Sequence, residues 1–292
     1  MLTIRRHPAL IALVVLAGCP NNRATSPTNG PTPAVIAHRG SSYSAPEHTF
    51  AAYDLAVAEG ADYIEQDIHR TSDGVLVVIH DATLDRTARG DPETCAGLVS
   101  EKTIAQIRSC DAGSWFNSLR PDRARAEYAG LKIPTLAEVI ERYGSRSRYY
   151  IEMKDPDKYP GIETELMALL VKHGLTVAAE GRPRVIVQSF DAASLKRFNA
   201  LDPRLTVIQL VGQQSSAETV AMLDGIMRYA SGIGPHRAGV DRSLVDAALR
   251  KGFMVHPYTV DDPAEMKTLL DIGVSGMFTN RPGVLREIIA NR

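Results

Sequence analysis

The sequence predicts an α/β fold and, within that class, a (β/α)8 barrel. Short β-rich runs alternate with amphipathic stretches of helical spacing along most of the chain, which is typical of βαβ units around a parallel sheet. About eight such units fit into roughly 250 residues, the usual size of this barrel. Polar residues follow several strand runs, as they do at the catalytic end of such barrels. A doubly wound parallel sheet is the alternative that this alternation allows.

The first eighteen residues resemble a bacterial lipoprotein signal peptide. A basic start at Arg5 and Arg6 leads into a short apolar run that ends in Leu-Ala-Gly-Cys19, a match to a lipobox. The run is much shorter than the ~20 residues of a membrane-spanning helix. We predict cleavage before Cys19 and lipidation of that residue. An ordinary signal peptide with an incidental Cys19 is the alternative.

The remaining chain divides into a tether and a globular body. Residues 19–33 are polar and rich in Pro, which predicts a flexible tether, and residues 34–292 carry the barrel. The 33 basic and 34 acidic residues nearly cancel, so no charge excess indicates nucleic-acid binding. With 44% apolar residues the body is not disordered. We expect an exported protein, anchored in a bacterial membrane on the periplasmic face or the cell surface.

The strand candidates number nine, one more than the barrel needs. The weakest is the segment near Ile233, where Gly and Pro dilute the apolar pattern. The candidates are Ala34–Ala37, Tyr63–Ile68, Val75–Ile79, Tyr149–Met153, Arg184–Gln188, Thr206–Leu210, Ile233, Val255–Tyr258 and Met277–Thr279.

The helix candidates lie between these strands and carry start and stop signals. Thr49 and Ser243 are predicted N-caps. Glycines predicted to end helices are Gly60, Gly144, Gly174 and Gly252. The candidate helices are Thr49–Ala58, Thr135–Arg142, Glu163–Lys172, Ala192–Asn199, Ser216–Met227, Ser243–Lys251 and Pro263–Asp271.

Residues 86–134 interrupt the alternation and predict an insertion on the barrel. The segment is rich in Gly, Pro and Asp and has one clear helical turn, near 104–108. It also contains Cys95 and Cys110. An even pair of cysteines in an exported protein suggests a disulfide, here closing a loop of about fifteen residues. Two buried free thiols are the alternative.

Three carboxylates predict a metal site. Glu65 and Asp67 are two apart on one strand, so their side chains share a face, while Gln66 points the other way. Burying two like charges is costly unless a cation cancels them. Glu152 ends another strand, and three carboxylates without a Cys or His cluster select a hard cation, Ca²⁺ or Mg²⁺. A solvated acidic strand edge is the alternative.

Histidines and cations end the same set of strands. His38 and His80 follow two different runs, and histidine can give or take a proton near neutral pH. Arg39 and Lys154 offer donors to an anionic ligand. Together with a metal, this set suits phosphoryl transfer. The remaining histidines are predicted to be structural: His7, His48, His69, His173, His236 and His256.

At this point the chain resembles the glycerophosphodiester phosphodiesterases. The resemblance runs from about residue 35 to 283, nearly the whole body. Each motif is weak alone, but their order is specific. The matching motifs are His38-Arg39-Gly40, Ala45-Pro46-Glu47-His48-Thr49, Glu59 to Asp67, Thr71-Ser72-Asp73-Gly74, His80 to Thr87, Ile133 to Leu136, Ile151 to Lys154, Gln188-Ser189-Phe190 and Thr279 to Pro282.

The resemblance implies a barrel of the phosphatidylinositol-phospholipase-C-like phosphodiesterase type with one divalent cation. It implies that Glu65, Asp67 and Glu152 bind the metal. It also implies the following roles by position: His38 and His80 as the general acid and base, Arg39 and Lys154 on the phosphate, Phe190 and Tyr258 along the glycerol pocket, and Glu47 and Gln188 as supporting neighbours.

Three positions depart from the family pattern. His48 stands where many members have Asn, and Tyr258 replaces a common Trp. Asn280 replaces a common Asp and removes one negative charge near the mouth. None of the implied metal or histidine positions is altered, so these departures bear on head-group preference.

The expected function is metal-dependent hydrolysis of small glycerophosphodiesters, such as glycerophosphocholine, to sn-glycerol 3-phosphate and an alcohol. One alternative is a phosphodiesterase that acts on intact phospholipids or lysophospholipids with the same barrel. A second alternative is a surface lipoprotein that uses the barrel only for binding. No nucleic-acid partner is expected. The protein is expected to contact the membrane through its lipid anchor.

Overall fold

The computed structural model describes residues 32–176 and 181–292. The predicted signal peptide, Cys19 and nearly all of the predicted tether lie outside these residues. The strands in the described part are β1 (Ala34–Ala37), β2 (Tyr63–Arg70), β3 (Leu76–Val78), β4 (Tyr149–Met153), β5 (Val185–Ser189), β6 (Thr206–Val211), β7 (Gly232–Pro235), β8 (Met254–Val255) and β9 (Gly276–Thr279).

Eight of these strands form a parallel barrel. Their order is β8-β7-β6-β5-β4-β2-β1-β9. The two end strands are joined by backbone hydrogen bonds, from Ser275 N to Val255 O (3.1 Å) and from Phe278 N to Pro257 O (3.0 Å). The (β/α)8 prediction is confirmed, because an open doubly wound sheet has no such seam.

Helices follow the barrel strands and cover their outer face. In the described residues they are α1 (Phe50–Ala58), α2 (Pro92–Cys95), α3 (Ile104–Ser109), α4 (Ser114–Leu119), α5 (Leu136–Tyr143), α6 (Ile162–Lys172), α7 (Ala192–Leu201), α8 (Ser216–Ile226), α9 (Arg242–Arg250), α10 (Pro263–Asp271) and α11 (Pro282–Ala290). All seven predicted helices are present, and α11 was not predicted.

One of the two predicted N-caps is correct. The side chain of Thr49 accepts from Ala52 N and caps α1. Ser243 was the wrong residue for α9. The cap is Asp241, whose carboxylate accepts from Leu244 N (2.9 Å). Asp and Ser are about equally good N-caps, so residue type alone did not separate the two.

The surplus strand candidate is the one at residues 76–78. The segment near Ile233 is the barrel strand β7, whereas β3 pairs antiparallel with β2. The glycines that weakened the β7 pattern serve close packing. A Cβ on Gly232 would lie 2.4 Å from Met254 O, and one on Gly234 would lie 2.7 Å from a methyl group of Leu210.

The insertion has more helix than the sequence predicted. Besides α3, residues 86–134 contain the short helices α2 and α4, which are too short to show a period of 3.6. The predicted disulfide between Cys95 and Cys110 is present, with Cα atoms 5.5 Å apart. The insertion has its own apolar cluster, which includes Val99 and Ile107.

Aromatic side chains fill the barrel below the site. Tyr63, Tyr150 and Phe278 are buried in its interior, and the rings of Tyr150 and Phe278 are 4.8 Å apart. His256 is only 2% exposed, and its Nδ1 lies 3.1 Å from the Tyr150 hydroxyl. Such a buried, hydrogen-bonded position is typical of a structural histidine. Within residues 32–176 and 181–292, no helix combines the length and apolarity that crossing a membrane requires.

Candidate active site

A pocket of about 400 Å³ opens at the carboxyl ends of the barrel strands. Charged and titratable side chains line part of it, and apolar and aromatic ones line the rest. The lining includes His38, Arg39, Glu65, His80, Glu152, Lys154, Gln188, Phe190, Leu210, His236, Arg237 and Tyr258.

The three predicted carboxylates lie together, all buried. Glu65 and Asp67 come from β2, and Glu152 comes from β4, where it lies in register beside Asp67. Gln66 points away, and its amide donates to Ile64 O (2.9 Å). The alternation expected from the i, i+2 spacing is therefore present.

Burial and mutual repulsion set the charges of this trio. Burial, followed by the charges of Asp67 and Glu152, raises the pKa of Glu65 well above its ordinary value. Burial and the charge of Asp67 raise the pKa of Glu152 to about 8. Burial opposes ionisation of Asp67 too, but the Lys154 charge and the His48 hydrogen bond hold its pKa well below the ordinary range.

The residues present fit a hard divalent cation. Asp67 Oδ1 is buried and has no hydrogen-bond partner among residues 32–176 and 181–292. One potential ligand atom each from His48, Glu65 and Asp67 lies within 4.8 Å of the others. The predicted third ligand was Glu152 rather than His48. Both ring nitrogens of His48 are already engaged, by Asp67 Oδ2 (2.9 Å) and the Tyr53 hydroxyl (2.8 Å).

Arg39 is held by its own backbone and by carboxylates. Its N–H donates to Glu65 Oε2 (2.7 Å), and its Nη1 donates to Glu47 Oε1 (3.0 Å). The residue has a φ of 58°, which is uncommon for a residue with a Cβ and is found at functional sites. Arg39 Nε is buried and makes no hydrogen bond to any residue that the structure describes, although Asp67 Oδ2 lies 3.5 Å away.

Lys154 is the second cation of the pocket. Its ammonium group lies 2.9 Å from Glu152 Oε1 and 3.7 Å from Asp67 Oδ1. Burial would lower the pKa of Lys154, but the charges of these two carboxylates raise it instead. The residue therefore stays charged beside the carboxylate trio.

The two predicted histidines line the same pocket with different partners. His38 Nδ1 lies 2.7 Å from Asn280 Oδ1, and His80 Nδ1 lies 2.6 Å from Asp81 Oδ1. Burial, reinforced by the Arg39 charge, lowers the pKa of His38 to about 3. Burial also lowers the pKa of His80. His80 follows β3, so its expected place at the end of a barrel strand was wrong.

Glu47 belongs to a chain of ion pairs that reaches His80. Arg86 donates to both oxygens of Glu47 (2.7 and 2.9 Å) and, through Nε, to Asp81 Oδ2 (2.6 Å). Burial opposes ionisation, yet the Arg86 hydrogen bonds and the Arg39 charge lower the pKa of Glu47 to about 2. This chain connects the loops that hold Arg39 and His80.

The remaining predicted residues line the same pocket. Gln188 lies beside the carboxylates: its Nε2 is 3.5 Å from Glu65 Oε1, and its buried Oε1 has no hydrogen-bond partner in the described part of the chain. The rings of Phe190 and Tyr258 meet edge to face at 5.9 Å. His236 packs on Tyr258 at 5.7 Å and also lines the pocket.

Several site residues were missed or misjudged from the sequence. His48 and His236 were expected to be structural, but His48 binds Asp67 directly and His236 faces the pocket. Asn280 was interpreted only as the loss of one negative charge near the mouth of the pocket, but its side chain contacts His38. The family motifs that contain His48 and Asn280 could have indicated both residues as part of the site, whereas no sequence spacing indicated His236.

Comparison with known sequences identifies the family. A model of the Glycerophosphoryl diester phosphodiesterase family matches residues 38–284. The glycerophosphodiester phosphodiesterase of Bacillus subtilis (strain 168) is 44% identical over 254 residues, covering 87% of this chain and 85% of that protein. A probable glycerophosphodiester phosphodiesterase 1 of Mycobacterium tuberculosis is 36% identical, covering 86% and 90%.

Solved structures share the barrel. A glycerophosphodiester phosphodiesterase from Agrobacterium tumefaciens superimposes with a TM-score of 0.70 at 28% identity, covering 87% of this chain and 99% of that one. An Oleispira antarctica phosphodiesterase in complex with the product sn-glycerol-3-phosphate gives a TM-score of 0.70 at 30% identity, covering 89% and 97%. The chain is therefore an enzyme, and it belongs to the glycerophosphoryl diester phosphodiesterase family.

Proposed function

We propose that this enzyme hydrolyses small glycerophosphodiesters, such as glycerophosphocholine, to sn-glycerol 3-phosphate and an alcohol. One observation carries the proposal: two histidines, each engaged at Nδ1 by a fixed side chain, line one pocket with Arg39 and Lys154. The product complex of the Oleispira antarctica relative supports the same substrate class.

Glu65, Asp67 and Glu152 are the proposed ligands of one divalent cation, Ca²⁺ or Mg²⁺. The buried, unpartnered Oδ1 of Asp67 and the raised pKa values of Glu65 and Glu152 support this set, because a dication removes their mutual repulsion. His48 then orients Asp67 through its Nε2 contact. A cation held by these carboxylates would supply positive charge for the phosphoryl oxygens and would lower the pKa of a hydroxyl bound to it.

Arg39 and Lys154 bind the phosphodiester in this proposal. Both residues line the pocket, where a guanidinium and an ammonium group can donate hydrogen bonds to an anionic oxygen. Glu47 Oε1 lies 3.0 Å from Nη1 of Arg39 and holds the guanidinium in place. The side chains of Arg39 and Lys154 are only 17% and 16% exposed, and a charge-assisted hydrogen bond is stronger where little water competes for it.

His38 and His80 exchange the protons. One imidazole takes the proton of the attacking hydroxyl, and the other gives a proton to the leaving alkoxide. Burial lowers the pKa of both residues in the free enzyme, so either can act as the acceptor at neutral pH. The histidine that donates must bind its proton in the substrate complex, where the anionic phosphate favours the charged imidazole. The nucleophile is the neighbouring glycerol hydroxyl or a water molecule. Phe190 and Tyr258 border the glycerol moiety with apolar surface.

The proposed location is a bacterial membrane, on its periplasmic face or at the cell surface, reached by lipidation of Cys19. The chain enters the barrel at Ala34, the start of β1, whereas the pocket lies beyond the ends of the strands. The pocket therefore opens at the end of the barrel opposite Ala34.

A substrate panel tests this function. Glycerophosphocholine, lysophosphatidylcholine and sphingomyelin are offered separately with Ca²⁺ or Mg²⁺, and phosphorus NMR identifies the products. We expect sn-glycerol 3-phosphate from glycerophosphocholine and much slower cleavage of the two lipids. Faster cleavage of either lipid would instead assign an intact-phospholipid substrate. Folded protein that cleaves none of them would leave a binding role.

A further inference from the structure

We propose that Asp261 is a positioning residue that sets the tautomer of His38 through Asn280. The proposal rests on the proposed function, in which the His38 imidazole exchanges a proton with the substrate. Asp261 does not line the described pocket and belongs to none of the family motifs noted in the sequence. It follows β8, while Asn280 follows β9 and His38 follows β1, so the three residues lie across the seam that closes the barrel.

Donors surround both oxygens of the Asp261 carboxylate. Oδ1 accepts from the backbone N–H of Asn280 (2.8 Å) and from the Thr279 hydroxyl (3.1 Å). Oδ2 lies 2.6 Å from Asn280 Nδ2. A carboxylate accepts hydrogen bonds and donates none, so the amide of Asn280 must turn its NH₂ group toward Asp261.

This orientation fixes what His38 meets on its other side. With the NH₂ group on Asp261, the amide oxygen of Asn280 faces His38 Nδ1 at 2.7 Å. An oxygen acceptor at that distance requires the proton on Nδ1. Nε2 then carries the lone pair. The carboxylate of Asp261 therefore acts through Asn280 to determine which nitrogen of His38 can accept a proton from substrate.

The loop that carries His38 is also fastened to Asn280. Tyr43 N donates to the backbone carbonyl of Asn280 (3.0 Å), which ties the loop to the residue without orienting its side chain. The Ser42 hydroxyl lies 2.7 Å from both His38 O and Asn280 Oδ1 and can donate its one proton to either. The two hydrogen bonds of Asp261 to Asn280 therefore orient the amide, and Ser42 supports that orientation when it donates to Oδ1.

Single substitutions should invert this pattern. In Asp261→Asn, the new side-chain oxygen is needed by the backbone N–H of Asn280, so the new NH₂ group takes the place of Oδ2. Two NH₂ groups would then meet, and the Asn280 amide should flip and present its NH₂ group to His38 Nδ1. In Asn280→Asp, two carboxylates face each other at the 2.6 Å contact and repel.

The double variant Asp261→Asn/Asn280→Asp restores complementarity. The NH₂ group introduced at 261 donates to the carboxylate introduced at 280, which accepts the Nδ1 proton of His38. We expect each single variant to lose roughly 10–100-fold in kcat, as outer-shell partners commonly do, with KM changed little. The double variant should recover most of that loss. Recovery is not expected if Asp261 only braces the barrel seam.

Nitrogen-15 NMR of the histidine rings reads the tautomer without turnover. His38→Gln assigns the signal. We expect an unprotonated Nε2 for His38 in the wild type and in the double variant, and an unprotonated Nδ1 in Asp261→Asn. The proposal is overturned if Asp261→Asn keeps the wild-type tautomer, or if the double variant is no more active than the weaker single variant. A wild type inactive on glycerophosphodiesters contradicts the proposed function instead, and the NMR result still decides the tautomer.

Discussion

Individual side chains at this site carry charges set by their neighbours and by burial. Glu65 and Glu152 have raised pKa values because they share a buried site with Asp67, whereas Asp67 keeps its charge through Lys154 and His48. Such a group is stable only with a compensating cation or with protons. The same buried setting lowers the pKa of both pocket histidines.

Loss of either pocket histidine should abolish most activity. We expect His38→Ala and His80→Ala each to lower kcat on glycerophosphocholine by roughly 10²–10⁴, the range for removing a general acid or base. His173→Ala is the matched control, because His173 lies at the end of α6 and does not line the described pocket. Near-normal turnover in His38→Ala or His80→Ala would exclude the proton-transfer role of that residue.

Glu47 should contribute acid-sensitive stability. Its folded-state pKa of about 2 lies below the ordinary 4.5, so ionised Glu47 stabilises the fold by roughly 3 kcal/mol above pH 4.5. That contribution decreases as the pH falls from about 4.5 toward 2. We expect Glu47→Gln to unfold more easily than the wild type at pH 6 in chelator, with a gap that narrows by pH 3.5. A gap independent of pH would show that the carboxylate charge plays no part.

At the residue scale, the sequence predicted which side chains carry the chemistry better than it predicted which residues those side chains contact. Glu65 and Asp67 could be placed on one face because strand alternation is a local rule. The contacts of Asn280 with His38 join residues 242 positions apart, and those of Arg86 with Glu47 join residues 39 apart. No local pattern encodes such contacts, so they appear only once the barrel is closed.

Secondary-structure elements show where local patterns mislead. The apolar run of β3 looks like a barrel strand, but it folds back on β2 because Thr71 to Val75 form a turn. The glycines of β7 look like loop residues, but they admit close neighbours from β6 and β8. In both cases packing against a distant element overrides propensity.

The disulfide should stabilise the insertion between β3 and α5. It closes a separation of fifteen residues, which corresponds to about 3 kcal/mol in the chain-entropy treatment. We expect Cys95→Ala/Cys110→Ala to lower the free energy of unfolding, measured by denaturant titration, by up to about that amount. Reducing the wild type with a thiol should give a similar loss. An unchanged midpoint in both samples would contradict a stabilising role.

At the scale of the whole molecule, the residues that pack the barrel and the residues that line the pocket lie in different parts of the fold. Buried aromatic rings fill the interior, and the polar side chains gather beyond the carboxyl ends of the strands. The sequence predicted this architecture because the alternation of strand and helix repeats along the whole body.

The most direct test of metal-dependent phosphodiester hydrolysis is turnover of glycerophosphocholine by protein stripped with chelator and then titrated separately with Ca²⁺ and Mg²⁺. We expect no turnover without cation and recovery with one of the two. Glu152→Gln should weaken that response, whereas Glu165→Gln, a carboxylate on α6 outside the pocket, should not. Full turnover in chelator, or no turnover by folded protein with either cation, would contradict the proposed reaction.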